Sequence, residues 1–265
     1  MRHAVWIPLF DELADPRAVA RLAASAEEAG WEGFFVWDQL WWQPPVSAVA
    51  DPWITLTAVA VATERLRFGP MVTPVPRRRP VKLLRETTTL DVLSHGRLTL
   101  GVGLGSDRFA GEFSRSGEEL DDRIRAEQLD ECLQILTAGW SEETVVHRGK
   151  HYVVDSVRFE PRPVSGRIPI WCAGFPGKPK PIRRAARYDG YFPVNLTSPD
   201  QVASAVEAVS AERGSLDGFD VVIALSPTTD VRPYAEAGAT WCLTDFDPES
   251  RLADVQAVVK AGPPR

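Results

Sequence analysis

The sequence predicts an α/β protein folded as a single (β/α)8 TIM barrel, with an excursion between strands four and five. Short apolar runs alternate with helical patterns along the chain, which argues for a parallel sheet with right-handed crossovers. Eight such strand–helix units in 265 residues is the arithmetic of a closed barrel. An open doubly wound sheet would carry its glycine fingerprint right after the first strand, where this chain reads Pro8-Leu9-Phe10-Asp11.

The elements follow in order. Ala4 to Phe10 is the first strand. Asp15-Pro16 opens a helix, with Asp as N-cap and Pro at the first position. Val19, Leu22, Ala23 and Ala26 recur at helical spacing until Gly30 ends it. Gly33 to Asp38 is strand two, and Asp51-Pro52 starts a helix to about Thr63. Leu66 to Val72 is strand three. Pro80 starts a helix that ends near Leu93, and Leu98 to Val102 is strand four. The rhythm then breaks. Gly103 to Leu120 reads as a long loop, Asp121 to Ala138 as a helix, and Thr144 to Val154 as a hairpin turning at His147-Arg148-Gly149-Lys150. Ile168 to Ala173 is strand five. Shorter units follow: a helix from about Pro181, a strand at Tyr191 to Val194, and a helix from Ser198 to Arg213. The last are a strand at Val221 to Leu225, a short helix near Tyr234, a strand at Thr240 to Thr244, and a helix to about Lys260. One domain over 1–265 is expected, with an insertion at about 104–165.

Composition narrows the function. A chain that is 44% hydrophobic and 25% charged is neither disordered nor fibrous. Its net charge of -6 argues against nucleic acid or an anionic membrane surface as the main partner. Three cysteines, Cys132, Cys172 and Cys242, make no disulfide framework and point to a reducing compartment. No apolar run reaches the roughly 18 residues of a spanning helix. Pro8, Asp11, Glu12 and Asp15 interrupt the N-terminal apolar run, so no secretory signal is read and a cytoplasmic location is expected.

In a barrel, chemistry sits in the loops after the C-terminal ends of the strands. After strand two stand Trp37-Asp38-Gln39-Leu40-Trp41-Trp42, where indole faces offer a stacking surface, or else cover a loop. After strand three, Pro74, Pro76 and Pro80 stiffen a loop holding Arg77-Arg78-Arg79, either an anion site or cations solvated or paired with nearby acids. After strand four, Gly101, Gly103 and Gly105 alternate ahead of Ser106 and Asp107, so that a backbone or a ligand can approach closely. After strand five comes Ala173-Gly174-Phe175-Pro176-Gly177-Lys178-Pro179-Lys180-Pro181. A glycine-containing loop entering a helix offers amide N–H groups and positive charge to a phosphate, or is a solvated basic turn. The histidines His3, His95, His147 and His151 do not group as metal ligands, and no nucleophile elbow appears.

Several ordered segments between Ala4 and Phe246 resemble the bacterial luciferase-like family of flavin- and deazaflavin-dependent oxidoreductases. They are Ala26-Glu27-Glu28-Ala29-Gly30-Trp31-Glu32-Gly33, Trp37-Asp38, and 62–69 (ATERLRFG). The run 86–103 (ETTTLDVLSHGRLTLGVG) is the most specific. Arg125 to Glu131, Gly149-Lys150-His151-Tyr152, Pro169 to Gly174 and Arg184 to Tyr191 complete the set. The resemblance implies a flavin-type ring in the mouth of the barrel and a cis non-prolyl peptide at Met71-Val72. It implies that Asp38 touches the cofactor and that the Gly174 to Lys178 loop holds its phosphate. Three positions depart from the family. Gln39 stands where many relatives have histidine, Ser106 and Asp107 where deazaflavin relatives often have glutamate, and Leu104 where luciferase has arginine.

The expected function is therefore an oxidoreductase of the luciferase-like monooxygenase type. It would use FMN, or alternatively the deazaflavin coenzyme F420, to transfer hydride or activate oxygen on a small organic substrate. Trp41, Trp42, Met71, Val72 and Phe175 are expected around the ring, with Gly105 and Ser106 beside it. Gly174, Gly177 and Lys178 are expected at the phosphate. Asp38 and Gln39 are the expected catalytic pair, with no metal. A homodimer is open. The rivals are a non-catalytic flavin-binding protein on the same fold, and a barrel enzyme acting on a phosphorylated metabolite without a redox cofactor.

Overall fold

The computed structural model describes residues 1–141 and 144–264; Glu142 and Glu143, within the expected insertion, and Arg265 lie outside the described residues. The first half comprises β1 (Arg2–Ile7), α1 (Pro16–Glu28), β2 (Gly33–Val36), α2 (Pro52–Ala62), β3 (Arg67–Pro70), β4 (Thr73–Pro74), α3 (Pro80–Leu93) and β5 (Leu100–Gly103). An excursion follows of α4 (Asp122–Ser141) and the antiparallel pair β6 (Val145–Arg148) and β7 (Val153–Val157). The chain returns through β8 (Ile170–Gly174), α5 (Pro179–Ala185), β9 (Gly190–Pro193), α6 (Pro199–Arg213), β10 (Asp220–Leu225), α7 (Arg232–Glu236), β11 (Trp241–Asp245) and α8 (Leu252–Ala261).

Every expected strand and helix is present; the differences lie at their ends. β1 stops at Ile7 rather than Phe10, because Pro8 has no N–H to give a ladder. Strand three is broken into β3 and β4 by the Met71-Val72 peptide, which is cis, as the family resemblance implies. Asp15 and Asp51 cap α1 and α2 by accepting from the N–H groups of Arg17 and Ile54, each at 2.9 Å.

All neighbours in the main sheet are parallel, in the order β3-β2-β1-β11-β10-β9-β8-β5-β4. Since β3 and β4 are halves of one strand, the ends of this order meet, and a parallel bridge between Phe68 and Leu98 closes the barrel. Glycine makes the closure feasible. A Cβ on Gly101 would lie 2.5 Å from the carbonyl oxygen of Pro70, and one on Gly103 2.9 Å from Val72 Cγ1. Gly101 therefore admits the backbone of the bulged third strand, and Gly103 the Val72 side chain that the bulge carries.

The lumen is filled by a cluster comprising Ala4, Phe35, Met71, Trp171, Phe192, Val222, Trp241 and Leu243. A larger cluster lies between the strands and the surrounding helices. The turns at the N-terminal end of the barrel are fastened by side chains. Glu27 accepts from the backbone N–H groups of Glu64, Arg65 and Leu66, while Arg97 donates to the carbonyls of Ala60, Thr63, Leu66 and Ser94. Glu131 on α4 holds the hairpin by accepting from the N–H groups of Lys150, His151 and Tyr152. His147 and His151 are spent on this clamp, 3.3 Å from Glu131 and 3.1 Å from Glu127. The three cysteines are free and buried.

Candidate active site

Side chains alternate along each strand, so the inner face of the mouth is set by register. Trp6, Val72, Ala173, Val194 and Ala224 pack on the top of the lumen cluster, and Trp37 lies 5.4 Å from Trp6, centroid to centroid. Trp6 Nε1 donates to the Met71 carbonyl at 2.7 Å, which holds the indole against the cis peptide. Trp6 meets Phe192 edge-on at 5.7 Å. The result is an aromatic wall beside small residues, directly over the bulge.

Asp38 and Gln39 do not line this face. Trp37 points inward, so Asp38 points outward, into a buried ion cluster. Thr73 Oγ1 donates to its carboxylate at 2.9 Å, Arg77 Nη2 at 2.6 Å and Arg78 Nη2 to both oxygens at 2.8 Å. Arg77 also donates to Glu112 at 2.7 Å, and the side chains of Arg77, Asp38 and Glu112 are at most 4% exposed. Glu112 in turn accepts from the Leu40 N–H. The Gln39 amide meets both its oxygens at 2.9 Å and is assigned with its nitrogen towards them, because an amide oxygen there would face only acceptors. Burial pushes the Glu112 carboxyl above its usual range, against the pull of Arg77. The arginine run is thus the paired one of the two readings: Arg77 and Arg78 are consumed by acids. The cluster ties the loop after β2 to the loop after β5.

The expected ring residues fall on these two loops and on the bulge. Trp42 stacks on Phe109 at 5.1 Å and 21°, and packs on Phe10 and Trp37. Trp41 Nε1 donates to the Ala110 carbonyl at 2.9 Å, and the Arg115 guanidinium lies 5.4 Å over its ring. Met71 is buried in the lumen and Val72 borders the mouth. Gly105 has φ +75°, and a Cβ there would strike the Phe113 ring at 2.5 Å, so this glycine serves loop packing. Ser106 accepts from the Arg108 N–H at 3.2 Å.

The loop after β8 leaves Phe175, Gly177 and Lys178 exposed. Gly177 turns the chain at φ +73° with open space where a Cβ would stand. Gly174 is needed for packing, since a Cβ would lie 2.2 Å from Pro181. α5 has only seven residues, and Pro179 and Pro181 remove two of its first N–H groups. An anion held there would rely on Lys178 and Lys180 more than on amides.

Glu112, Trp6 and Asp245 escaped the sequence reading. Glu112 lies in a loop with no periodicity to place it. Trp6 and Asp245 are marked by the two-residue alternation of their strands: Ala4 then Trp6, and Trp241, Leu243 then Asp245.

The fold and this mouth define a closed parallel α/β barrel of the kind that binds ligands at the C-terminal ends of its strands. The chain belongs to the luciferase-like monooxygenase family, whose model matches residues 3–239. It is 29% identical to a phthiodiolone/phenolphthiodiolone dimycocerosates ketoreductase of Mycobacterium tuberculosis over 199 residues, 72% of this chain and 48% of that one. The chain spans less than two thirds of the length of the curated relatives it first matches. An F420-dependent secondary alcohol dehydrogenase, solved with an F420–acetone adduct, superposes with a TM-score of 0.73 at 19% identity, covering 98% of this chain and 84% of that one. A type II Baeyer–Villiger monooxygenase of Pseudomonas putida, solved with FMN, superposes at 0.69 and 17% identity, covering 85% and 67%. Among the described residues no helix is long and apolar enough to cross a membrane.

Proposed function

We propose that this chain is an oxidoreductase that takes the flat ring of FMN or coenzyme F420 in its mouth and moves hydride between that ring and a small organic substrate. The observation that carries the reading is the inner layer of the mouth, where Trp6 and Trp37 face small residues over the Met71-Val72 bulge. These residues fit a flat, largely apolar ring. Val72 would back it, Ala173 and Ala224 leave room for its edge, and Trp42 with Phe109 would close the site from above. Lys178 would meet the phosphate. The bound ring supplies the hydride or oxygen chemistry; the chain orients the substrate and excludes water.

Visible absorption titration of the purified protein with FMN, and separately with F420, tests this. Saturable perturbation by one of them is expected, and none by either refutes the reading in favour of a barrel acting on a phosphorylated metabolite. Lys178→Ala should weaken binding of the same cofactor about tenfold, the worth of one charge-assisted contact. An unchanged Kd would remove Lys178 from the phosphate site.

The saturated carboxylate of Asp38 favours a second reading, a flavin carrier without turnover. Bound cofactor that no alcohol or carbonyl compound reduces or reoxidises would support it.

A second copy of the chain is part of the proposal. Ile54 and Val61 lie seven residues apart on one face of α2 and are 66% and 72% exposed. Sedimentation velocity should show a dimer that the double change Ile54→Glu with Val61→Glu converts to monomer. A monomeric parent chain would refute the assignment.

A further inference from the structure

Asp38 is saturated, yet a hydride exchange between an alcohol and a carbonyl compound needs a group that exchanges the hydroxyl proton. Among the described residues the strand alternation puts one carboxylate on the inner face of the mouth. Trp241 and Leu243 of β11 belong to the lumen cluster, so the two-residue period puts Asp245, the last residue of the strand, on the same face one layer higher. Its register partner on β1 is Trp6, which faces the same lumen.

The indole of Trp6 does not serve this carboxylate, because its N–H is committed to the Met71 carbonyl at 2.7 Å. Oδ1 of Asp245 is buried with no hydrogen-bond partner. A stranded carboxylate oxygen is costly in a structure unless a proton or a ligand satisfies it. The backbone N–H of Phe246 favours the ionised carboxyl, while the Asp247 charge opposes it. β10, the strand on the other side, brings Ala224 and Leu225, and β1 brings Trp6, none of them ionisable. Burial first, then Asp247, push the Asp245 carboxyl up to about 7, where it carries or gives up a proton near neutrality.

We propose that Asp245 is the acid–base group of the mouth. In the oxidising direction the O–H bond of a bound alcohol breaks and its proton passes to the Asp245 carboxylate. The carbinol C–H bond breaks with its electron pair going as hydride to an oxidised flavin or deazaflavin, and the C=O bond forms. In the reducing direction protonated Asp245 returns the proton to the oxygen as the reduced cofactor returns hydride. This assignment rests on the oxidoreductase reading above.

Two measurements on the full chain and its Asp245→Asn variant test it. In carbon-13 NMR with labelled aspartate carboxyls, one resonance should titrate near pH 7 and be missing from the variant; a midpoint below 5 overturns the proposal. Calorimetric titration with FMN and with F420 at pH 7, in two buffers of different ionisation enthalpy, reads protons exchanged on binding. The parent chain should take up a fraction of a proton more than the variant as the ring desolvates Asp245, exchange at the cofactor phosphate being common to both, at affinities within about twofold. Equal proton exchange in both proteins overturns Asp245 alone, whereas binding by neither protein overturns the oxidoreductase reading with it. Folding of the variant is checked by its melting point. A carboxyl raised in the folded chain stabilises below its unfolded value, and that stabilisation is lost as pH rises towards 7. Asparagine does not ionise, so the margin by which the variant outmelts the parent should grow steadily from pH 5 to pH 8; a margin that shrinks or stays constant over that range overturns the environment assigned to Asp245.

Discussion

Replacing Arg77 by methionine is expected to cost about 3–5 kcal/mol, the usual consequence of removing one partner from a buried ion cluster. Arg77 is the hinge of that cluster, 2.6 Å from Asp38 and 2.7 Å from Glu112. Without it Asp38 keeps Arg78 and Thr73, but Glu112 keeps only the Leu40 N–H and the Gln39 amide among the partners described above. A chain of this size loses roughly 2–4 °C per kcal/mol, so melting should fall by roughly 6–20 °C. The loss should depend on pH in a definite direction. Glu112 is already pushed up by burial, and removal of the arginine that opposes this raises it further. The variant then gains stability from protonated Glu112 at low pH and loses it as pH rises, so the deficit should be smaller at pH 5 than at pH 8. Adding Glu112→Gln to Arg77→Met should recover part of the deficit at pH 8, because a neutral amide leaves no uncompensated charge. Thermal melts monitored by circular dichroism at the two pH values decide the matter. A deficit under about 1 kcal/mol, or one equal at both pH values, would mean that the cluster does not hold the two loops together.

The fold was legible because its signals are local. Asp15-Pro16, Asp51-Pro52 and Pro80 each mark a helix start by themselves, and each stands where the structure begins a helix. The segments that carry the family resemblance have a common physical explanation. Glu27 and the 62–69 segment meet in one set of hydrogen bonds, with the Glu27 carboxylate on the amides of Glu64, Arg65 and Leu66. Asp91 accepts from the Val164 N–H at 2.9 Å, and Arg97 lies 5.4 Å over the Phe68 ring. These are fasteners at the N-terminal end of the barrel, the end that carries stability rather than chemistry. The resemblance is strong there because the turns admit few alternatives.

The mouth was less legible for the same reason inverted. Asp38 and Gln39 stand at a strand end, as catalytic residues do, but only the pleat decides that Trp37 faces the lumen and Asp38 the arginines. Glu112 is 74 residues from Asp38 in sequence, and no spacing rule pairs them. The glycines after strand four read equally well as room for a ligand or for a backbone. The distances of 2.5 Å at Gly101 and Gly105 show that protein atoms take the room. Asp245 is hidden because the apolar pattern of its strand ends at Thr244, one residue short of the inward-facing position.

The second large effect belongs to Gly69. It sits in β3, paired with Phe35 of β2, where the third strand meets β5. Thr99 donates its N–H to the Phe68 carbonyl at 2.9 Å, and this bond brings the two backbones together at the closure of the barrel. A Cβ on Gly69 would lie 1.8 Å from the Thr99 carbonyl oxygen, far inside contact distance. The obstacle is backbone, so no side-chain rotation relieves it. Gly69→Ala must therefore push β3 from β5, and it should cost more than about 3 kcal/mol, beyond the usual range for overpacking. Because Met71 and Val72 follow two and three residues later, the mouth is displaced with the strand. Cofactor binding, measured by the absorption titration above, should be lost even where residual folded protein remains. Gly117→Ala is the fitting control. Its φ of +77° strains alanine, but no atom lies within 4 Å of the added carbon, so about 1–2 kcal/mol is expected. Urea unfolding of the two variants beside the parent compares them directly. If Gly69→Ala loses no more stability than Gly117→Ala, the contact between β3 and Thr99 is not what closes the barrel.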